Sequence, residues 1–248
     1  MTGEKKWVVI TGATSGLGEH TAKRLLDTGY HAVVTGRNKE RLRETFAPYG
    51  GRAFLLPYDM SDLDGIEPFA AQVFAEVGPI DGLVIAAGVS KVMPMSLIKK
   101  PVLESVFGIN TFAGMMLTSS LTKKGRMKNG GSVILFSSLS AHEGAKGQTV
   151  YAASKGAIEG FVQTAAAELS DKGIRINAIA PGMVLTRMTE TFLAQLSEEQ
   201  RKRIEDGYPL GLGQPGQISG TIEYLLSEAG KWTTGRTFIL DGGRLSRE

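Results

Sequence analysis

The stretch that decides the fold reads Trp7-Val8-Val9-Ile10-Thr11-Gly12-Ala13-Thr14-Ser15-Gly16-Leu17-Gly18. It is a short apolar run, a turn of small residues, and the opening of a helical pattern. A continuous apolar run of this length suits a strand buried on both faces. Small residues after it let the backbone pass close to a pyrophosphate, and a helix opening there offers free N–H groups and the positive end of its dipole. A glycine-rich turn alone often marks no more than a tight corner. Its place between the first strand and the first helix points to a dinucleotide.

Outward from this stretch, apolar runs recur at 7–10, 32–35, 53–57, 82–85, 132–136, 175–179 and 237–240, predicting seven strands. Helical patterns lie between them at 16–28, 39–46, 63–77, 101–124, 150–172, 189–206 and 217–227. The alternation predicts an α/β fold: a single Rossmann-like, doubly wound domain over residues 1–248, with about seven parallel strands and helices on both faces. Gly29 is expected to close the first helix in a left-handed turn, and Ser61, Asp62 and Asp64 to supply capping acceptors before the third. Only 183–215 interrupts the rhythm, with its own polar helix LSEEQRKRIEDG. Such a segment after a late strand is expected to be a substrate lid rather than a second domain.

Composition narrows the function. The 248 residues include no cysteine, which excludes thiol nucleophiles, disulfides and thiolate metal sites. A net charge of +3 without a basic cluster gives no footprint for nucleic acid. The N-terminal charges are followed by too short an apolar run for a signal peptide, and no window approaches the roughly 18 apolar residues of a membrane span. No membrane partner and a cytoplasmic location are expected. His20, His31 and His142 lack ligand spacing, so no metal is expected. There is no G-x-S-x-G elbow and no G-x-x-x-x-G-K phosphate loop.

Two positions carry chemistry on physical grounds alone. Tyr151 and Lys155 stand four residues apart on a predicted helix and so share a face. The small residues Ala152, Ala153, Ser154, Gly156 and Ala157 let that face approach something large. A nearby ammonium favours the phenolate, so the Tyr151 pKa is expected to fall. The second position is Arg37, 19 residues past Gly18, where the dinucleotide pattern expects a carboxylate for the ribose hydroxyls. With Thr35-Gly36-Arg37-Asn38 there, no carboxylate repels a 2′-phosphate and a guanidinium can clamp it, predicting NADP(H) in preference to NAD(H).

The glycines form T-G-x-x-x-G-x-G rather than G-x-G-x-x-G. They are followed in order by Asp59-Met60, Ala86-Ala87-Gly88, Asn110, Ser137-Ser138, Tyr151 with Lys155, Pro181-Gly182 and Asp241-Gly242-Gly243. Through its whole length the chain resembles the short-chain dehydrogenase/reductase family, classical type. The resemblance implies that Tyr151 is the general acid/base at the substrate oxygen and that Ser138 orients and polarises the carbonyl. It implies that Lys155 binds the nicotinamide ribose and tunes Tyr151, while Asn110 holds a water linking Lys155 to solvent. Cofactor contacts are implied at Gly12, Thr14, Ser15, Gly16, Leu17 and Gly18, at Asp59 and Met60 near the adenine, and at Ala87 and Gly88. They are implied also at Asn110, Tyr151, Lys155, Pro181, Gly182 and Val184, with Thr186 on the carboxamide. Ala86 departs from the family's usual Asn, which implies a loosened strand end more than a loss of chemistry.

Within the family, the length, PLGLGQPGQI and TGRTFILDGG most resemble the 3-oxoacyl-[acyl-carrier-protein] reductase branch. A carbonyl or secondary alcohol, on a small molecule or an acyl carrier, is the implied substrate; steroids, sugars, polyols and small ketones stay open. The expected pocket walls, 89–94, 140–148 and 183–207, carry no dominant charge. A homotetramer is implied, with helices 101–124 and 150–172 packed across a two-fold axis and the segment after Leu240 in a second interface. A non-catalytic nucleotide-binding protein would have no use for Tyr151 and Lys155 together. An extended-type epimerase or dehydratase has another glycine spacing and a longer substrate region.

Overall fold

The computed structural model describes residues 5–123 and 125–246; the first residues of the charged N-terminus and Lys124, the expected end of the fourth helix, lie outside them. Seven parallel strands form one sheet: β1 (Trp7–Thr11), β2 (His31–Val34), β3 (Ala53–Leu55), β4 (Ile80–Ile85), β5 (Met127–Phe136), β6 (Arg175–Pro181) and β7 (Thr237–Leu240). Their order is β3-β2-β1-β4-β5-β6-β7. The helices are α1 (Gly16–Asp27), α2 (Lys39–Phe46), α3 (Ile66–Val77), α4 (Lys100–Phe107), α5 (Ala113–Leu121), α6 (Thr149–Leu169), α7 (Arg187–Leu193), α8 (Glu198–Glu205) and α9 (Pro215–Leu226). Among the described residues no helix is long and apolar enough to cross a membrane.

Successive strand residues point to opposite faces, so each inner strand serves two cores. Val8 and Ile10 join Leu25 and Leu26 of α1, Leu42 and Phe46 of α2 and Ile222 of α9 on one side. Val9 joins Phe69 and Val73 of α3, Leu117 and Leu121 of α5 and Ile158 and Val162 of α6 on the other. Every residue of β6 is buried, whereas the edge strands β3 and β7 are only part-buried. Two-sided burial is why the inner strands read as unbroken apolar runs.

Differences from the expected elements have local causes. β5 starts at Met127 rather than residue 132, because Met127 pairs with Ile80 and a register shift before Gly82 absorbs the Gly130-Gly131 break. The expected helix 101–124 is a continuous helical run with a π-helical turn, Gly108–Phe112, set between α4 and α5. The expected helix 189–206 is two helices: Ser197 opens α8 by accepting from Gln200 N, with Gln200 reaching back, a capping box that starts a helix afresh. Gly29 takes a φ of +96° just past α1, as expected of its turn. Ahead of α3, Asp62 accepts from Gly65 N at 3.1 Å.

Candidate active site

In a parallel sheet, ligands meet the carboxyl ends of the strands where the strand order reverses, here between β1 and β4. Thr11, the last residue of β1, pairs with Ile85, the last of β4, so the turn 12–18 and the segment 86–89 leave the sheet side by side. The Thr11 hydroxyl accepts from Ala86 N at 3.1 Å and Ala87 N at 3.0 Å. This stitch answers the departure at Ala86: with no Asn side chain there, the strand end is still held through its backbone. Gly12 has a φ of +68°, and a Cβ on it would lie 2.9 Å from Ala87 N. A Cβ on Gly18 would strike the Gly12 carbonyl, so the first turn of α1 lies directly on the loop.

That helix end is built to receive an anion. Ser15 is its N-cap in extended conformation, but its side chain makes no capping hydrogen bond. The first helical bond runs from Glu19 N to Ser15 O, which leaves the N–H groups of 16–18 without intrahelical acceptors. Leu17 packs on the core and fixes the helix beneath the turn. Arg41, which spacing did not single out, donates to Thr14 O at 2.6 Å and pairs with Glu19 at 3.2 Å. A bare backbone cradle at a helix N-terminus with spare donors fits the pyrophosphate of a dinucleotide.

At the end of β2, Gly36 is packed so closely that a Cβ would lie 2.7 Å from the Thr14 methyl. Arg37 follows, exposed, and makes no hydrogen bond or ion pair with another described residue. Asp59 accepts from Ser61 N at 3.0 Å. That bond holds its carboxyl below the usual range, and the Arg37 charge adds to the effect. Met60 is buried in the core, so its backbone alone is left to a cofactor.

The four residues of the implied tetrad converge past β4 and β5. A Cβ on Gly88 would sit 3.2 Å from Asn110 Oδ1 and 3.5 Å from Lys155 Nζ. Asn110 lies in the π-helical turn, 2% exposed. Its Oδ1 accepts from Val89 N at 2.7 Å, while Nδ2 donates to Val89 O at 2.9 Å and Ser154 Oγ at 3.0 Å. Both amide protons are therefore committed to holding the segment after β4 against α6. The π turn is what turns this residue inward, and such turns concentrate at functional sites.

Lys155 is 4% exposed and donates to Phe136 O at 2.7 Å. Burial pushes its pKa down to about 8, because the charged form loses its water. Its ammonium stands 5.9 Å from the centroid of the Tyr151 ring. Burial pushes the Tyr151 hydroxyl up, and a hydrogen bond with Ser138 pulls it partly back. This corrects the expectation of a lowered tyrosine: burial of the phenol sets the direction, and what pulls it back is the Ser138 hydroxyl rather than the Lys155 ammonium. Ser138 also accepts from Ser140 N at 3.2 Å, capping the 3₁₀ turn Leu139–Ala141. A half-buried phenol beside a hydroxyl, above a buried ammonium, can hand a proton to an oxygen brought against it.

The segment after β6 closes on itself. Pro181 ends β6 opposite Leu240, and a Cβ on Gly182 would press on the Tyr208 ring. Met183 N donates to Tyr208 Oη at 3.0 Å, and Leu185 N to Gly213 O at 2.8 Å, with Val184 buried between. Thr186 opens α7: Thr186 N donates to Thr189 Oγ1 at 2.7 Å and Thr189 N to Thr186 Oγ1 at 3.4 Å. Residues 186–207 thus make an excursion on a zipped neck.

With fold and site in view, comparison with known proteins gives the class. The short chain dehydrogenase family profile matches residues 6–197, and the chain belongs to that family, whose members are oxidoreductases of CH–OH and C=O groups using a nicotinamide cofactor. It is similar to the L-rhamnose 1-dehydrogenase (NAD(P)(+)) of Azotobacter vinelandii, 33% identical with 96% of each chain covered. It is also similar to the 3-oxoacyl-[acyl-carrier-protein] reductase FabG of Staphylococcus aureus, 28% identical over 96% of this chain and 97% of that one. Among solved structures, 4-hydroxyisoleucine dehydrogenase complexed with NADH aligns with a TM-score of 0.91, 26% identity and 98% and 100% coverage. ElxO with NADP bound aligns at 0.88 with the same identity and coverage.

Proposed function

We propose that the protein is an NADP(H)-dependent reductase of a carbonyl compound, working in reverse as a secondary alcohol dehydrogenase. The observation that carries it is Tyr151 with its ring 5.9 Å from the buried ammonium of Lys155, next to the turn that Ser138 caps, at the strand ends where the sheet order reverses. A nicotinamide dinucleotide bound in the cradle supplies the hydride to the carbonyl carbon or takes it from the alcohol. Gly12, Thr14, Ser15, Gly16, Leu17 and Gly18 hold its pyrophosphate; Asp59, Met60, Ala87 and Gly88 line the adenosine side; Pro181, Gly182, Val184 and Thr186 flank the nicotinamide. Arg37, charged and unpaired among the described residues, takes a 2′-phosphate in a charge-assisted bond. That geometry supports NADP(H), although similar structures hold either dinucleotide.

In the reductive direction Ser138 holds the carbonyl oxygen and Tyr151 gives it a proton. The raised tyrosine pKa keeps that proton in place until an oxygen with developing charge is presented. Lys155, its pKa pushed down to about 8 by burial, binds the ribose and refills the phenol. Asn110, its side chain spent on Val89 and Ser154, serves the site by holding the segment after β4 against the catalytic helix rather than by gripping a water with its amide. Residues 183–215 act as a lid over the substrate. The similar reductase of acyl-carrier substrates and the similar sugar dehydrogenase make 3-oxoacyl thioesters and polyhydroxy carbonyls the first classes to try. Exposed Leu103, Phe112 and Met116 along α4, the π turn and α5, and exposed Ile239 and Leu245 near the C-terminus, favour a homotetramer. A chain with no cysteine suits the cytoplasm. A panel of 3-oxoacyl thioesters, sugars, polyols, steroids and small ketones, followed by NADPH absorbance, tests the reading: turnover of at least one carbonyl class is expected, and none at all would overturn it.

A further inference from the structure

One carboxylate on the catalytic helix is taken up by neither cofactor nor substrate in this reading. Glu159 lies one turn beyond Lys155 and two beyond Tyr151, about 12 Å along α6 from the tyrosine at 1.5 Å per residue. Its Oε1 accepts from Ser137 Oγ at 2.5 Å, and His142 Nε2 stands 2.9 Å from the same atom. An ionised carboxylate only accepts, so the His142 contact needs its proton on Nε2. Both partners sit on the segment that carries Ser138, one on each side of it.

That bracket sets where Ser138 stands. Ser137 is 3% exposed, its N–H donates to Ile179 O at 2.7 Å, and its hydroxyl lies 3.2 Å from Lys155 O. At the far end His142 N donates to Leu139 O at 2.8 Å, closing the turn that Ser138 caps. A second tie runs from Ser140 Oγ to Gln148 Oε1 at 2.5 Å, at the N-cap of α6. The turn is thus fastened to the tyrosine's helix at two heights. The helix itself does not need Glu159 to dock, since Ile158, Val162 and Ala166 already bury it against the sheet.

We infer that Glu159 is a positioning residue: through Ser137 and His142 it fixes the Ser138 hydroxyl relative to Tyr151, and so the angle at which the substrate oxygen meets its proton donor. It touches no reacting atom. Its influence is geometric, and misplacing a catalytic group by about 1 Å from a distance can cost about 100-fold in rate.

The inference rests on the carbonyl reductase reading, so the experiment first requires that wild type turns over a carbonyl from the panel and that Tyr151→Phe does not. Failure there overturns that reading and this inference with it, whereas success there combined with an unaffected Glu159→Ala overturns this inference alone. With that control in hand, Glu159→Ala, Glu159→Gln and His142→Ala are compared by kcat, by KM for the carbonyl, by the NADPH dissociation constant from fluorescence, and by Tm. Glu159→Ala is expected to lose about 10- to 100-fold in kcat with KM raised a few-fold, while NADPH binding stays within about twofold. Glu159→Gln, whose amide oxygen still accepts from Ser137, should recover most of the loss. His142→Ala, at the exposed end of the bracket, should fold as wild type and fall between them. The inference is overturned if Glu159→Ala keeps more than half of wild-type kcat, if Gln rescues no better than Ala, or if activity, NADPH affinity and Tm decline together. Should Glu159→Ala fail to fold, an unchanged kcat in both other variants overturns it equally.

Discussion

Replacing Lys155 by Met removes a charge that the fold holds at a loss. Burial takes the ammonium from an ordinary 10.5 to about 8, and at 4% exposure little solvent screens it. At about 1.36 kcal/mol per pH unit the drop corresponds to about 3 kcal/mol. The folded pKa lies below the unfolded one, so between about pH 8 and 10.5 the unfolded chain binds more protons and wild-type stability rises with pH; below 8 the whole penalty is present. Against this, Met leaves the Phe136 carbonyl without its 2.7 Å donor, and a buried unsatisfied acceptor costs about 1–3 kcal/mol. At pH 7 Lys155→Met should therefore match wild type or exceed it by up to about 2 kcal/mol, although it should weaken cofactor binding and turnover. By pH 10 the advantage should have shrunk by most of the 3 kcal/mol and turned into a deficit. Denaturant titrations of both proteins without cofactor at pH 7, 8.5 and 10 measure the difference. A difference that stays flat with pH, or one in which wild type gains as pH falls, refutes the reasoning.

Other outcomes follow from the same structure. Arg37→Ala should weaken NADPH by about 5- to 30-fold, the worth of an exposed charge-assisted bond at about 1–2 kcal/mol, and leave NADH nearly unchanged; equal losses by titration would remove Arg37 from the 2′-phosphate. Thr11→Val deprives the Ala86 and Ala87 N–H groups of their acceptor, so Tm should fall by several degrees, at about 1–3 kcal/mol for donors left unpaired; an unchanged Tm would contradict the stitch. Light scattering at micromolar concentration should return four times the chain mass of 26.5 kDa, and a monomer would contradict the assembly.

Much of this architecture is written locally in the chain. Two-sided burial turns each inner strand into an apolar run, the glycine turn declares itself by its place, and Tyr151 and Lys155 by their spacing. What escaped reading depends on partners distant in sequence or on small changes of helical period. The π turn at Gly108–Phe112 inserts one residue into a pattern that stays helical on both sides, with Gly108 and Gly114 the only local weaknesses. The start of α8 is legible in Ser197 and Gln200, but a helical pattern that continues across them from 189 to 206 reads as one helix. Arg41 holds Thr14 from 27 residues away and Glu159 reaches Ser137 from 22; no local pattern announces either. The direction of the Tyr151 shift is set by the burial of the tyrosine itself, which spacing does not contain.

The most direct test of the central claim is single-turnover reduction by Tyr151→Phe, under conditions where chemistry limits the rate. The ring remains to pack and only the proton donor is lost, so the rate should fall by about 10²–10⁴-fold, while the NADPH dissociation constant stays within about twofold of wild type. A Tyr151→Phe enzyme that keeps more than about a tenth of the wild-type rate would place the proton donor elsewhere and contradict the assignment.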